Sequence, residues 1–114
     1  MPVEQWSDEV SLVHLASDPQ FTDEMGSLDA ALSSGGDKHV VLDFAGVSFL
    51  TSSNLARLLK LRTRLTGASR RLILCSVPTK VWSTFIVTGL DKVFEFSEAV
   101  PLALATLQLS EPAS

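Results

Sequence analysis

Three consecutive hydroxyl residues, Thr51-Ser52-Ser53, stand immediately ahead of Leu55, Leu58, Leu59, Leu61 and Leu65. Leucines at that spacing make one face of a helix, so the hydroxyls fall where a helix start needs acceptors for its unpaired N–H groups. Hydroxyls there cap the helix, or one of them takes up a group transferred by another protein. Asp43, near the end of the run Val40-Val41-Leu42-Asp43-Phe44, is a second candidate. Strand ends in open α/β sheets face the ligand crevice, and the plainer role for such a carboxylate is to accept N–H groups of the following loop. His14 and His39 have no cysteine or carboxylate at ligand spacing, which argues against a metal site and for structural or solvated imidazoles. Cys75 has apolar neighbours and no histidine close in sequence, so it reads as a small core residue and not as a nucleophile. No G-x-x-x-x-G-K-[ST] or G-x-G-x-x-G cradles a phosphate, and no G-x-S-x-G nucleophile turn is present. These residues point to binding rather than catalysis, with no cofactor.

The elements that must position them follow from length and pattern. A chain of 114 residues with 46% apolar and 19% charged residues suits one globular domain, expected over residues 1–110 with a loose tail at 111–114. One cysteine makes no internal disulfide and requires no oxidising compartment. The opening Met-Pro-Val-Glu-Gln-Trp lacks a basic and apolar leader, and no stretch reaches 18 consecutive apolar residues. A cytoplasmic protein without membrane insertion is expected.

Val3 to Trp6 and Val10 to Leu15 read as two antiparallel strands. After Ser17-Asp18-Pro19, the spacing of Phe21, Met25, Leu28 and Leu32 predicts a helix ending before Gly35-Gly36. Val40 to Phe44 reads as a strand covered on both faces, central in the sheet and broken by Gly46. A second helix opens at the hydroxyl triplet, and Leu72 to Cys75 makes another covered strand. A third helix is predicted over Thr79 to Val87, then a short strand Val93 to Phe96 and a last helix near Glu98 to Leu109, with Pro101 tolerable only in its first turn. Strands alternating with helices predict an α/β sandwich.

Charge is unevenly spread within a net of -4. Between Phe44 and Leu90 no acid occurs, yet Arg57, Lys60, Arg62, Arg64, Arg70, Arg71 and Lys80 do. Arg57, Lys60 and Arg64 share the side of the second helix opposite its leucines, either as a solvated face or as a patch that steers an acidic partner. Direct nucleic-acid binding is not expected, since no aromatic residue interleaves the basic ones and the chain is acidic. On the third helix Val81 and Phe85 suit the core, while Trp82 and Ile86 form a pair about 100° away. Either the last helix covers Trp82, or Trp82 and Ile86 anchor a partner or a second copy.

The order V-V-L-D-F-A-G-V-S-F-L-T-S-S-N-L, a leucine-rich helix, R-L-I-L-C and F-I-V-T-G-L-D-K-V-F resembles the STAS domain family of bacterial anti-sigma factor antagonists. That family's pattern is an apolar strand ending in Asp, a loop with an apolar pair, D-S-S-G-L opening a helix, and T-G-L-x-x-x-F before the final strand. Here these stand as Asp43, Phe49-Leu50, Thr51-Ser52-Ser53-Asn54-Leu55, and Thr88-Gly89-Leu90 with Phe94. The resemblance implies a STAS-like sandwich with a mixed sheet of four to five strands and about four helices. It implies a binding module that affects transcription indirectly. By position Ser52 would be the serine phosphorylated by a partner, a GHKL-type serine kinase that is also the anti-sigma factor. Thr51, Ser53 and Asn54 would shape the docking loop, with Asp43 supporting it. Thr51 stands in place of the family's Asp and Asn54 in place of its Gly. The other reading is a STAS regulatory subunit of an ATP-driven transport complex, not phosphorylated. Nucleotide binding near Asp43 and Ser52 is a third, weakened by the absent phosphate loop.

Overall fold

The computed structural model describes residues 3–110, with side chains described from 6 to 108. The expected loose tail, 111–114, lies outside the described residues. The chain forms β1 (Val3–Gln5), β2 (Val10–Ala16), α1 (Gln20–Gly35), β3 (His39–Gly46), α2 (Ser52–Gly67), β4 (Leu72–Cys75), α3 (Thr79–Val87), β5 (Glu95–Ser97) and α4 (Val100–Ser110). One five-stranded sheet has the spatial order β1-β2-β3-β4-β5. The first pair is antiparallel and the rest are parallel, so this is a mixed α/β sandwich of five strands and four helices.

Side chains in a strand alternate between faces, and the buried residues obey that period. Val13, Leu15, Val40, Leu42, Phe44, Leu72 and Leu74 face one way, against Phe21, Met25, Leu28 and Leu32 of α1, Leu58, Leu61 and Leu65 of α2, and Val81 and Phe85 of α3. Val10, Leu12, Val41, Ile73 and Cys75 face the other way and, among the described residues, meet the buried Ala103 and Leu107 of α4, with Val100 and Leu104 alongside. Phe85 lies edge-on to Phe44, Phe94 and Phe96, joining three elements in one aromatic cluster.

Three expected boundaries move. β3 runs on past Phe44 and ends at Gly46, which pairs with Ala16 after a register shift between β2 and β3. A Cβ at Gly46 would meet the Leu15 carbonyl oxygen at 2.9 Å, so glycine permits this close approach. Val93 and Phe94 are not in a strand. Gly89 takes φ 75, a 3-10 turn follows over Leu90–Lys92, and Phe94 is spent on the core before β5 begins at Glu95. The last helix starts at Val100, which puts Pro101 in its first turn, where its missing N–H costs nothing.

Candidate functional site

The hydroxyl triplet forms the start of α2. Thr51 has extended backbone, and its Oγ1 accepts from the Asn54 N–H at 3.0 Å while Asn54 Oδ1 accepts from the Thr51 N–H at 3.0 Å. This reciprocal capping box satisfies the helix end without Ser52 or Ser53. Both serines are exposed at the first and second helical positions, and their hydroxyls make no hydrogen bond among the described residues.

Asn54, expected on the docking surface, is buried to 1% exposure. Its remaining amide hydrogens explain why: Nδ2 donates to Asp18 Oδ2 at 2.9 Å across 36 residues. Asp18 Oδ1 also accepts from the Thr22 hydroxyl at 2.7 Å and the Thr22 N–H at 3.1 Å. Nearby, the Ser17 hydroxyl pairs with that of Ser48 at 3.0 Å and accepts from the Ser48 N–H at 2.9 Å. The loop after β2 and the loop after β3 are thereby stitched together. The carboxylate absent at position 51 has a counterpart here, since Asp18 brings one to the same helix end from the neighbouring loop.

The Thr22 hydroxyl, and next Asn54, hold the Asp18 carboxyl below its ordinary value of 3.8. A carboxyl depressed in the folded state stabilises the fold above its unfolded pKa and ceases to do so as pH falls through its folded value. Urea midpoints are therefore expected to drop as pH falls through and below the ordinary carboxylate range, with a smaller drop in Asp18→Asn. Equal drops in both proteins would refute this role of Asp18.

Asp43 lies at the same end of the sheet. Its Oδ1 accepts from the Ala45 N–H at 3.0 Å, the loop-bracing role, and its Oδ2 meets His14 Nδ1 at 2.8 Å. The parallel register that aligns His14 with Asp43 supplies the carboxylate partner that His14 was expected to lack. It extends sideways as a row of His14, Asp43, Cys75 and Ser97 across the four parallel strands. His39, expected in a loop, opens β3 and accepts the Arg71 N–H on Nδ1 at 2.9 Å. Burial, then the Asp43 charge, pushes the Cys75 thiol up to about 12, and Sγ lies 3.4 Å from the Leu42 carbonyl as its donor. Cys75 is thus a protonated core residue. No group of three or more His, Cys, Asp or Glu among the described residues is placed to hold a metal ion.

The expected basic face is largely neutralised. Arg64 pairs with Asp37 at 2.6 Å, Arg57 lies 3.8 Å from Asp29, Arg70 pairs with Glu9 at 2.6 Å, and Arg71 pairs with Glu95. Arg62 reaches round to donate to the Val93 carbonyl at 2.9 Å. The acids sit on α1, in flanking loops and at the start of β5, distant in sequence, so the run without acids shows only one partner of each pair. Trp82 is half-buried edge-to-face on Phe96, with ring centroids 4.8 Å apart, so it does not stand with Ile86 as an exposed pair. Ile86 is 51% and Val87 85% exposed. Phe49, 49% exposed in the loop before Ser52, was not among the expected partner contacts, although an apolar pair in a polar loop was its signal.

The family model described as Mlab, STAS domain matches residues 3–103. The chain belongs to the STAS domain family. The STAS fold is shared with a Thermotoga maritima protein described as an anti-sigma factor antagonist, at a TM-score of 0.80 and 17% identity over 94% of this chain and 93% of that one. An anti-sigma-factor antagonist (STAS) domain protein from Planctomyces limnophilus gives 0.79 at 20% identity over 93% and 96%. The anti-sigma factor antagonist SpoIIAA in its unphosphorylated form gives 0.73 at 15% over 96% and 97%. At these identities the likeness is one of fold. No curated protein sequence matches the chain significantly. Among the described residues, no STAS helix is long and apolar enough to cross a membrane.

Proposed function

We propose that this STAS protein is an anti-sigma factor antagonist-like binding module, not a catalyst, which docks through the loop before α2 and is switched by phosphorylation of Ser52. One observation carries the reading: the capping box uses Thr51 and Asn54 and leaves the exposed Ser52 hydroxyl outside it. A phosphate on Ser52 would sit at the first turn, where N–H groups and the helix dipole favour an anion, so the fold survives modification. The partner surface does not. Ser52, Ser53 and the exposed Phe49 would present a charge of about -1.5 to -2 where an apolar contact was available, and docking would be lost. The partner is a serine kinase of GHKL type that is also the anti-sigma factor, which makes the effect on transcription indirect and the site of action the cytoplasm.

The test is intact mass and phosphopeptide analysis of the protein expressed in its native host, beside Ser52→Ala. A phosphate on Ser52, absent in the variant, is the expected result. No phosphate under growth, starvation and stress would overturn it. The second reading, a constitutive regulatory subunit bound to the ATPase of a transport complex, draws on Thr51 standing where the family pattern has Asp. Copurification with an ATP-binding transport subunit, undiminished by Ser52→Asp, would establish that instead.

A further inference from the structure

The carboxyl ends of β4 and β5 open beside α3 and α4 into a groove of about 630 Å3. That volume is in the range of small-molecule sites, and strand ends of parallel sheets are where such sites form. Its apolar lining includes Val77 and the edge-to-face pair Trp82 and Phe96, with Leu102 of α4 along the rim. Its polar lining includes the hydroxyls of Ser76 and Ser97 and one ionisable group, the carboxylate of Glu98. Glu98 is exposed and makes no ion pair or hydrogen bond among the described residues, and no basic side chain lines the groove.

An unpaired carboxylate beside aromatic rings selects by charge. It disfavours anions such as nucleotides and carboxylic acids, and a neutral apolar body gains nothing from it. A cation with an apolar body satisfies both parts, because aromatic rings attract ammonium groups through their quadrupole while the carboxylate pairs with them directly. We propose that this groove binds a small organic cation, an apolar or aromatic body carrying one ammonium group, with the ammonium on Glu98 and the body against Trp82 and Phe96. The site is separate from the Ser52 switch and does not depend on it.

The probes are benzylammonium, benzyl alcohol and benzoate, titrated into the full chain labelled with nitrogen-15. The indole N–H of Trp82 is the reporter, distinguished from that of Trp6 with a Trp6→Phe variant. Benzylammonium is expected to shift the Trp82 indole and the Ser97 and Glu98 amides saturably. Benzyl alcohol should bind about threefold to fivefold more weakly, Glu98→Gln should weaken benzylammonium by a similar factor, and benzoate should not bind. Leu102 is half exposed, so Leu102→Arg leaves the fold intact, sets a rival cation on the rim and abolishes the shifts. The proposal is overturned if benzoate binds as well as benzylammonium or if Glu98→Gln changes nothing. It is equally overturned if the shifts survive Leu102→Arg, or if none saturates at the highest concentrations the probes allow.

Discussion

Asn54→Ala is expected to lower the free energy of unfolding by about 2 to 3 kcal/mol, far more than any change at the neighbouring exposed serines. The Asn54 side chain is buried, and two partners depend on it. Truncation removes the acceptor for the Thr51 N–H and a donor to the Asp18 carboxylate, which loses its tie to α2. Half a capping box contributes about 1 kcal/mol and a hydrogen bond to a charged group about 1.5 to 3, the lower end applying here because Asp18 keeps Thr22 and contact with solvent. Ser52→Ala, by contrast, should stay within about 0.5 kcal/mol. Urea unfolding of both variants measures this. An Asn54→Ala cost below that of Ser52→Ala would mean that the loop is held elsewhere.

Leu107→Ala should cost about 3 kcal/mol, with the loss concentrated on one side of the sheet. Leu107 is 1% exposed and is, among the described residues, one of two fully buried ones that α4 presents to Val41, Ile73 and Cys75. The other face has three helices to share such a loss. Hydrogen exchange should therefore show α4 and β4 losing protection while α1 and α2 keep theirs. Uniform loss of protection would show instead that the two layers unfold as one unit.

Local signals were enough for the element order, the start of α2 at Thr51-Ser52 and the span of α3, because caps, glycines and leucine spacing act over a few residues. What escaped depends on pairing between distant segments. The Asn54–Asp18 bond, the His14–Asp43 contact and the Arg64–Asp37 pair each join residues separated by 27 to 36 positions. No spacing rule along the chain places these partners together; only the parallel register and the packing of α1 on α2 do. Trp82 stayed open between two readings for the same reason. Its helical phase is off the Val81–Phe85 stripe, and only the position of Phe96 decides that its ring is half covered.

The strand order of the sheet is the order of the strands in the chain. A nascent polypeptide emerging from the ribosome can therefore add each strand to an edge already in place, and α1, α2 and α3 close their face as they appear. The opposite face has no cover until α4 emerges. For that interval Val41, Ile73 and Cys75 face water on an otherwise assembled sheet, an apolar strip of the kind that chaperones hold and that aggregates when left bare. Slow docking of α4 would lengthen that exposure, and yield in a cell would then depend on how fast the last helix closes as much as on the stability of the finished molecule.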